Sequence, residues 1–203
     1  MIWAHKTSTP RWVVAPEPEA DLVSRLSSEA SIPANIVKIL VNRHLDTADL
    51  IDKFLNPEMT DLRDPFIMTG MKEGVDRVVK ALYENEKIMI YGDYDVDGIT
   101  ATTLLYMVLN KLGAQVDFYL PNRLVEGYGL SAGGIDEAKS RGVTLIVTVD
   151  TGITAVTEVE YARSQGIEVV VTDHHEPANA IPKAHAIINP KQSGCEYGGE
   201  LSG

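Results

Sequence analysis

The sequence predicts an α/β protein, a doubly wound and mostly parallel five-stranded sheet preceded by a small helical N-terminal segment. Three observations carry that expectation. From Lys87 onward, short β-branched runs alternate with helical patterns of roughly 10 to 15 residues, the rhythm of βαβ units. Gly113, Gly142 and Gly166 each stand where a helix should stop before the next strand. Three of the runs, in "IMIYGDYDVDG", "LIVTVDTGI" and "EVVVTDHHEP", lead into acidic or imidazole residues. In an open parallel sheet the carboxyl ends of the strands share one edge, where ligands bind.

In chain order, "APEPEADLVSRLSSEASIPANIVKILVNRHL" gives a Pro/Glu-rich opening and two apolar-periodic helices, Leu22 to Ala30 and Ile36 to Leu45, with Pro33 suited to the first turn of the second. A short helix capped by Asp46 or Thr47 stops before Pro57, and a Pro- and Asp-marked connection follows. The next helix spans Met71 to Glu86, with Val75, Val78, Val79 and Leu82 on one face. The predicted strands are Ile88 to Tyr91, Gln115 to Tyr119, Leu145 to Val149, Glu168 to Val171 and Ala186 to Ile188. Between them lie helices at Ile99 to Leu112, Ala132 to Arg141 and Ala155 to Gln165. The expected organisation is a helical segment over residues 1–75 and a catalytic domain over 76–203.

With 44% apolar and 23% charged residues, the 203-residue chain reads as an ordinary soluble globular protein. No apolar run approaches the ~20 residues that cross a bilayer, so no membrane association is expected. The start, "MIWAHKTSTPRW", lacks the apolar core of a secretory signal. A single cysteine, Cys195, excludes an intramolecular disulfide and suits a reducing cytoplasm. The net charge of −11 argues against a wholly basic nucleic-acid footprint, but acidic metal ligands would account for part of it.

The chemistry starts at "YGDYDVDG". Asp93, Asp95 and Asp97 repel one another unless a cation lies between them. If the chain there is extended, alternate side chains share one side at intervals of about 6.6 to 7 Å, and two metals ~3.5 to 4 Å apart fit between such carboxylates. Gly98 then lets the chain turn close to the site and begin a helix whose N-terminus favours phosphate. A calcium loop of the EF-hand type is excluded by Leu104 where a bidentate Glu is needed, and by the strand that precedes the triplet. Taken singly, the triplet also fits a solvated acidic turn, and Asp150 in "TVDTGIT" fits a helix cap. The pair His174 and His175 after Asp173 is harder to explain that way, and imidazole beside carboxylate suits Mn, Fe or Zn better than Ca.

The stretch "LPNRLVEGYGLS" reads either as a glycine-containing turn or as a substrate contact. In the second reading Arg123 binds phosphate, Tyr128 offers a face to a base, and Gly127 and Gly129 allow close approach. His5, His44, His185 and Cys195 belong to no constellation and are given no role.

At these residues the chain resembles the DHH phosphoesterase superfamily. The resemblance runs from about Leu40 to the end and is carried by "FLNPEMTDLRDPF", "IYGDYDVDGITATTLL", "PNRLVEGYGLS", "VTVDTGI", "VTDHHEP" and "AIINPKQSGCEY". It implies hydrolysis of single-stranded DNA from the 5′ end with two Mn²⁺ or Mg²⁺ ions, in DNA repair and recombination. Single-strand-binding protein and repair helicases would be further partners of such an enzyme. By position, Asp93, Asp95, Asp97, Asp150 and His174 correspond to family metal ligands, Asp150 to the one that bridges both ions, and His175 to the residue near the scissile phosphate. The family pattern continues past "GGELSG" with another aspartate, a second domain and an oligonucleotide-binding fold, so the chain is expected to be cut short. Small-substrate phosphoesterases of the same superfamily, and non-catalytic replication scaffolds, stay open as alternatives. The helical segment and "PNRLVEGYGLS" favour the exonuclease over the small-substrate enzymes, and the intact ligands count against a scaffold.

Overall fold

The computed structural model describes residues 11–122 and 124–197. The chain divides into two compact units, with the break between Leu62 and Arg63. The first contains α1 (Ala20–Ala30), α2 (Ala34–Asn42) and α3 (Ala48–Leu55), whose apolar faces meet around Val23, Leu26, Val37, Leu40 and Ile51. Thr47 caps α3 by accepting a hydrogen bond from the Leu50 amide (3.3 Å). Pro33 stands one position before α2, at its cap, rather than in its first turn.

The second unit contains α4 (Met71–Tyr83), β1 (Lys87–Tyr91), α5 (Val96–Lys111), β2 (Gln115–Tyr119), α6 (Ala132–Ser140), β3 (Leu145–Val149), α7 (Val156–Ser164), β4 (Glu168–Thr172) and β5 (Ala186–Ile188). All five strands are parallel, in the order β2-β1-β3-β4-β5. This is the predicted doubly wound α/β sheet. Side chains alternate between its two faces. Met89, Tyr91, Ile146, Val169 and Val171 pack with α6 and α7, while Ile88, Ile90, Leu145, Val147 and Val170 pack with α4 and α5. The inner strands β1, β3 and β4 are near-continuously apolar because both their faces are covered, while β2 at the edge is partly exposed.

The helix stops obey one rule. Gly113, Gly142 and Gly166 have positive φ (83°, 74° and 77°), and the next residue's amide reaches back into the helix: Ala114 to Leu109, Val143 to Ala138, Ile167 to Ala162. Asn85 (φ 54°) does the same for α4, with the Glu86 amide on the Ala81 carbonyl, so α4 ends at Tyr83 instead of running to Glu86. Asparagine tolerates this backbone better than most residues, but its presence in a sequence is a weak sign of a stop. Helix α5 starts three residues before the predicted Ile99, because the side chain of Asp95 caps it. Among the described residues no helix is long and apolar enough to cross a membrane.

Glu86 is released from the helix to make an ion pair. Arg77, 4% exposed, donates through Nη1 and Nη2 to both carboxylate oxygens of Glu86 (3.1 and 2.7 Å) and through Nε to Glu168 (2.6 Å). One guanidinium thus joins α4, the entry to β1 and the start of β4, at the sheet edge away from the acidic motifs. Hydrogen bonding by Arg77 holds the Glu86 carboxyl below its ordinary range. At Glu168 burial works the other way, but Arg77 and His185 still hold it low. Both carboxylates are depressed in the fold, so their contribution is present above the unfolded carboxyl value of about 4.3 and fades as pH falls through the folded one. Arg77→Met is expected to cost about 2 to 4 kcal/mol of stability at neutral pH, because one partner of a buried charged pair is removed. Urea unfolding at pH 7 and pH 4 checks this: the cost should be smaller at pH 4, and an equal cost at both would contradict the ion-pair account.

Candidate metal centre

The strand order places β1 beside β3, and from there the chain crosses to β2 on one side and to β4 on the other. That reversal opens a crevice at the carboxyl ends, and the acidic motifs stand in it.

Asp93 stands two residues past the end of β1, after Gly92, and is 1% exposed. Its Oδ1 has no hydrogen-bond partner. A buried, unpartnered carboxylate oxygen costs free energy unless a cation meets it. Asp95 is the cap of α5, its Oδ1 accepting from the Gly98 amide (3.0 Å), and Asp97 is the second residue of that helix. The three aspartates therefore lie across a strand-to-helix turn, which corrects the extended-ribbon reading. Gly98 also acts differently from the expected turn residue. It lies inside α5, and a Cβ there would come within 2.5 Å of the Asp93 carbonyl oxygen. Glycine is required because the helix start presses against the Asp93 backbone.

Asp150 follows β3 with φ 60°, a left-handed backbone that a non-glycine residue adopts at a cost of order 1 kcal/mol. The surroundings hold it there. The Thr148 hydroxyl donates to the Thr151 carbonyl (2.7 Å), Thr172 donates back to Thr148, and Gly152 (φ 113°) completes the turn. This bend carries the Asp150 carboxylate back over the sheet edge, where His174 Nε2 lies 2.8 Å from its Oδ1.

After β4, Asp173 accepts from the amides of Ile153, His174 and His175, which ties the β3 and β4 turns together. The carbonyl of His175 accepts from Nδ2 of Asn189 (2.9 Å), a fully buried residue just after β5. Sequence reasoning misses Thr148 and Asn189 as supports of the site, although the segment "AIINPKQ" that holds Asn189 stands out in the sequence.

Two donor clusters result. Asp93, Asp95 and Asp150 offer atoms within 4.8 Å of one another, and so do Asp150, His174 and His175. Asp150 belongs to both. Asp97 belongs to neither; it borders a neighbouring cavity of about 350 Å³ together with Asp150, His174, Met68, Met71 and Ile188. Burial raises the Asp150 carboxyl, with repulsion from Asp95 adding to it and the hydrogen bond with His174 opposing it. Asp95 moves the other way, held down first by the Gly98 amide. Neighbouring carboxylates driven apart in this manner are the electrostatic mark of a site that favours cations.

Tyr128 lies at the rim. Its hydroxyl is 3.2 Å from the Asp150 carbonyl and 3.1 Å from His175 Nδ1, and its ring stands edge-on to Tyr94. Gly129 (φ 87°) is buried, where a Cβ would meet the Thr151 hydroxyl at 3.1 Å. Gly127 has open space around it, so its glycine answers to φ 83° and not to close approach. The stretch is a fastened loop: Glu126 accepts from the Tyr119 and Ser131 hydroxyls and the Asn122 amide, and the buried Tyr91 hydroxyl meets Gly129 and Ser131. Arg123 lies outside the described residues.

Fold and site together define a doubly wound α/β protein with a carboxylate and imidazole cation centre at its switch point. Residues 87–203 match the model of the DHH family, N-terminal domain, and the chain belongs to that family. It is similar to the single-stranded-DNA-specific exonuclease RecJ of Bacillus subtilis, 47% identical over 187 residues, covering 92% of this chain and 24% of that protein. The Escherichia coli protein of the same name is 44% identical over 131 residues, 64% of this chain and 23% of the other. Among solved structures, an exonuclease RecJ bound to manganese matches with a TM-score of 0.60 at 34% identity, over 66% of this chain and 34% of that one. RecJ from Thermus thermophilus in complex with Mn²⁺ matches with 0.67 at 26%, over 92% and 26%. The chain spans about a quarter of the length of the curated relatives it matches.

The packing at Gly98 is open to direct test. Gly98→Ala should destabilise by about 1 to 3 kcal/mol, the range for overpacking a tight contact. It should also displace Asp93, so Mn²⁺ affinity measured by calorimetry should fall with the melting temperature. Unchanged stability and affinity would contradict the contact.

Proposed function

We propose that this chain carries the metal-binding part of a phosphodiesterase that removes nucleotides from the 5′ end of single-stranded DNA, in DNA repair and recombination. The observation that carries the reading is the pair of donor clusters sharing Asp150, with the unpartnered, buried Oδ1 of Asp93 beside them. Carboxylate and imidazole donors fit Mn²⁺ or Mg²⁺, the ions named with the similar exonuclease structures.

Asp93, Asp95 and Asp150 would hold one ion and Asp150 with His174 the other, with Asp97 in reach of the centre from the first turn of α5. When bound, two such ions supply Lewis-acid activation of water and neutralise charge on the phosphate. The protein's own part is to fix these donors, and to set His175, Tyr128 and Gly129 where the phosphate and base of a DNA strand would lie; a phosphate contact by Arg123 is assigned from its sequence position alone. The N-terminus of α5 adds a partial positive charge on the same side. We assign the catalytic domain to the second unit, from Arg63 and so including the whole of α4 rather than starting at residue 76, with the helical segment before it, and the setting to the cytoplasm. Single-strand-binding protein and repair helicases are natural partners of such an activity.

Titration calorimetry with Mn²⁺ tests the centre. Asp150→Ala should weaken Mn²⁺ binding by more than about 100-fold, beyond the 10- to 100-fold loss typical of an outer-shell change, while circular dichroism stays native. A native variant that still binds Mn²⁺ as the parent does would show that Asp150 is not shared. The activity is tested with a chain extended to the relatives' length, on 5′-labelled single-stranded DNA, oligoribonucleotides and pyrophosphate. Mn²⁺-dependent release of nucleotides from the DNA is expected, and cleavage of pyrophosphate alone would overturn the assignment.

A further inference from the structure

One buried charge in the centre belongs to neither donor cluster. Asp173 has a side chain only 1% exposed, yet it carries no ion-pair partner other than His175 among the described residues. Its Oδ2 accepts from the Ile153 amide (2.9 Å), and its Oδ1 accepts from the amides of His174 (2.7 Å) and His175 (3.0 Å). His175 Nδ1 lies 2.7 Å from that same Oδ1. Three backbone N–H donors leave no acceptor facing either oxygen, so the short contact with the ring has its proton on the nitrogen. In a neutral imidazole that choice leaves the lone pair on Nε2.

The residue is held at its backbone as well. Asn189 grips the His175 carbonyl (2.9 Å), and its own Oδ1 is occupied by the Lys191 amide (2.8 Å). The Tyr128 hydroxyl, 3.1 Å from Nδ1 and 3.3 Å from Nε2, has the Asp150 carbonyl at 3.2 Å as a separate acceptor for its proton. Tyr128 can therefore stay in place whether or not Nε2 is engaged.

We propose that Asp173 is a positioning residue that fixes His175 in the Nδ1–H tautomer, leaving Nε2 as the ring nitrogen with a free electron pair beside Asp150 and His174. This deepens the reading of the site as a metal centre and rests on it. A carboxylate behind a histidine sets both the ring's orientation and its basicity, as it does behind metal-bound histidines. Asp173 does so while its remaining contacts lock the two turns, so positioning and folding act through the same side chain.

Nitrogen-15 correlation spectra of the histidines in the metal-free protein at about pH 8, where an unperturbed imidazole is neutral, test the tautomer without any variant. His175 should appear as the Nδ1–H form; an Nε2–H or doubly protonated ring would overturn the proposal. In Asp173→Asn, which puts an amide donor where one acceptor stood, that tautomer should be lost or mixed. A folded variant that keeps the Nδ1–H form would show that another group sets it, and if the variant does not fold, the parent spectrum still decides. Adding Mn²⁺ reports separately on the metal reading. Broadening of the His174 and His175 signals is expected, and its absence would count against the metal centre while leaving the tautomer result standing.

Discussion

Crowded negative charge at one edge of a parallel sheet is the constraint on which the site depends. Asp93, Asp95 and Asp150 stand within 4.8 Å of one another, two of them buried, and among the described residues no lysine or arginine pairs with any of the three. Such an arrangement is unfavourable in isolation and becomes favourable with cations between the carboxylates. Asp150 concentrates the constraint, since it is strained in its backbone, buried, and shared between the two donor sets.

The rest of the second unit supplies the rigidity that holds the donors of such a site in place. Strands buried on both faces fix the relative height of Asp93, Asp150 and Asp173 to the register of β1, β3 and β4. Each turn then has its own fastening: the Thr148 hydroxyl under Asp150, the Asp173 carboxylate across to Ile153, and Asn189 under His175. Arg77 performs the corresponding service at the opposite sheet edge, where it joins α4 to β1 and β4. The strain at Asp150 persists because several independent bonds over-determine it.

Much of this is legible in the sequence, for identifiable reasons. Strand runs such as "LIVTV" are apolar throughout because both faces are covered, and glycine after a helix marks its stop, so the sheet and three helix ends can be read directly. Asn85 escapes such a reading because asparagine signals a left-handed stop far more weakly than glycine. Convergence of Asp93, Asp95, Asp150 and His174 follows from their place at strand ends. Their local geometry does not, since period-two spacing looks the same in a strand and across a strand-to-helix turn. Asp150's backbone, Gly98's contact with Asp93, and the supports Thr148 and Asn189 are tertiary facts with no local pattern. Similar proteins about four times as long set the functional context, and the geometry of this chain supplies the reason its carboxylates stand where they do.

The sharing of Asp150 between two cation sites is the claim that organises the account. Anomalous scattering from crystals soaked in Mn²⁺ tests it most directly. The account predicts two peaks, one against Asp93 and Asp95 and one against His174, with the Asp150 carboxylate touching both. Peaks that leave Asp150 untouched, or no peak at the strand ends, would contradict it.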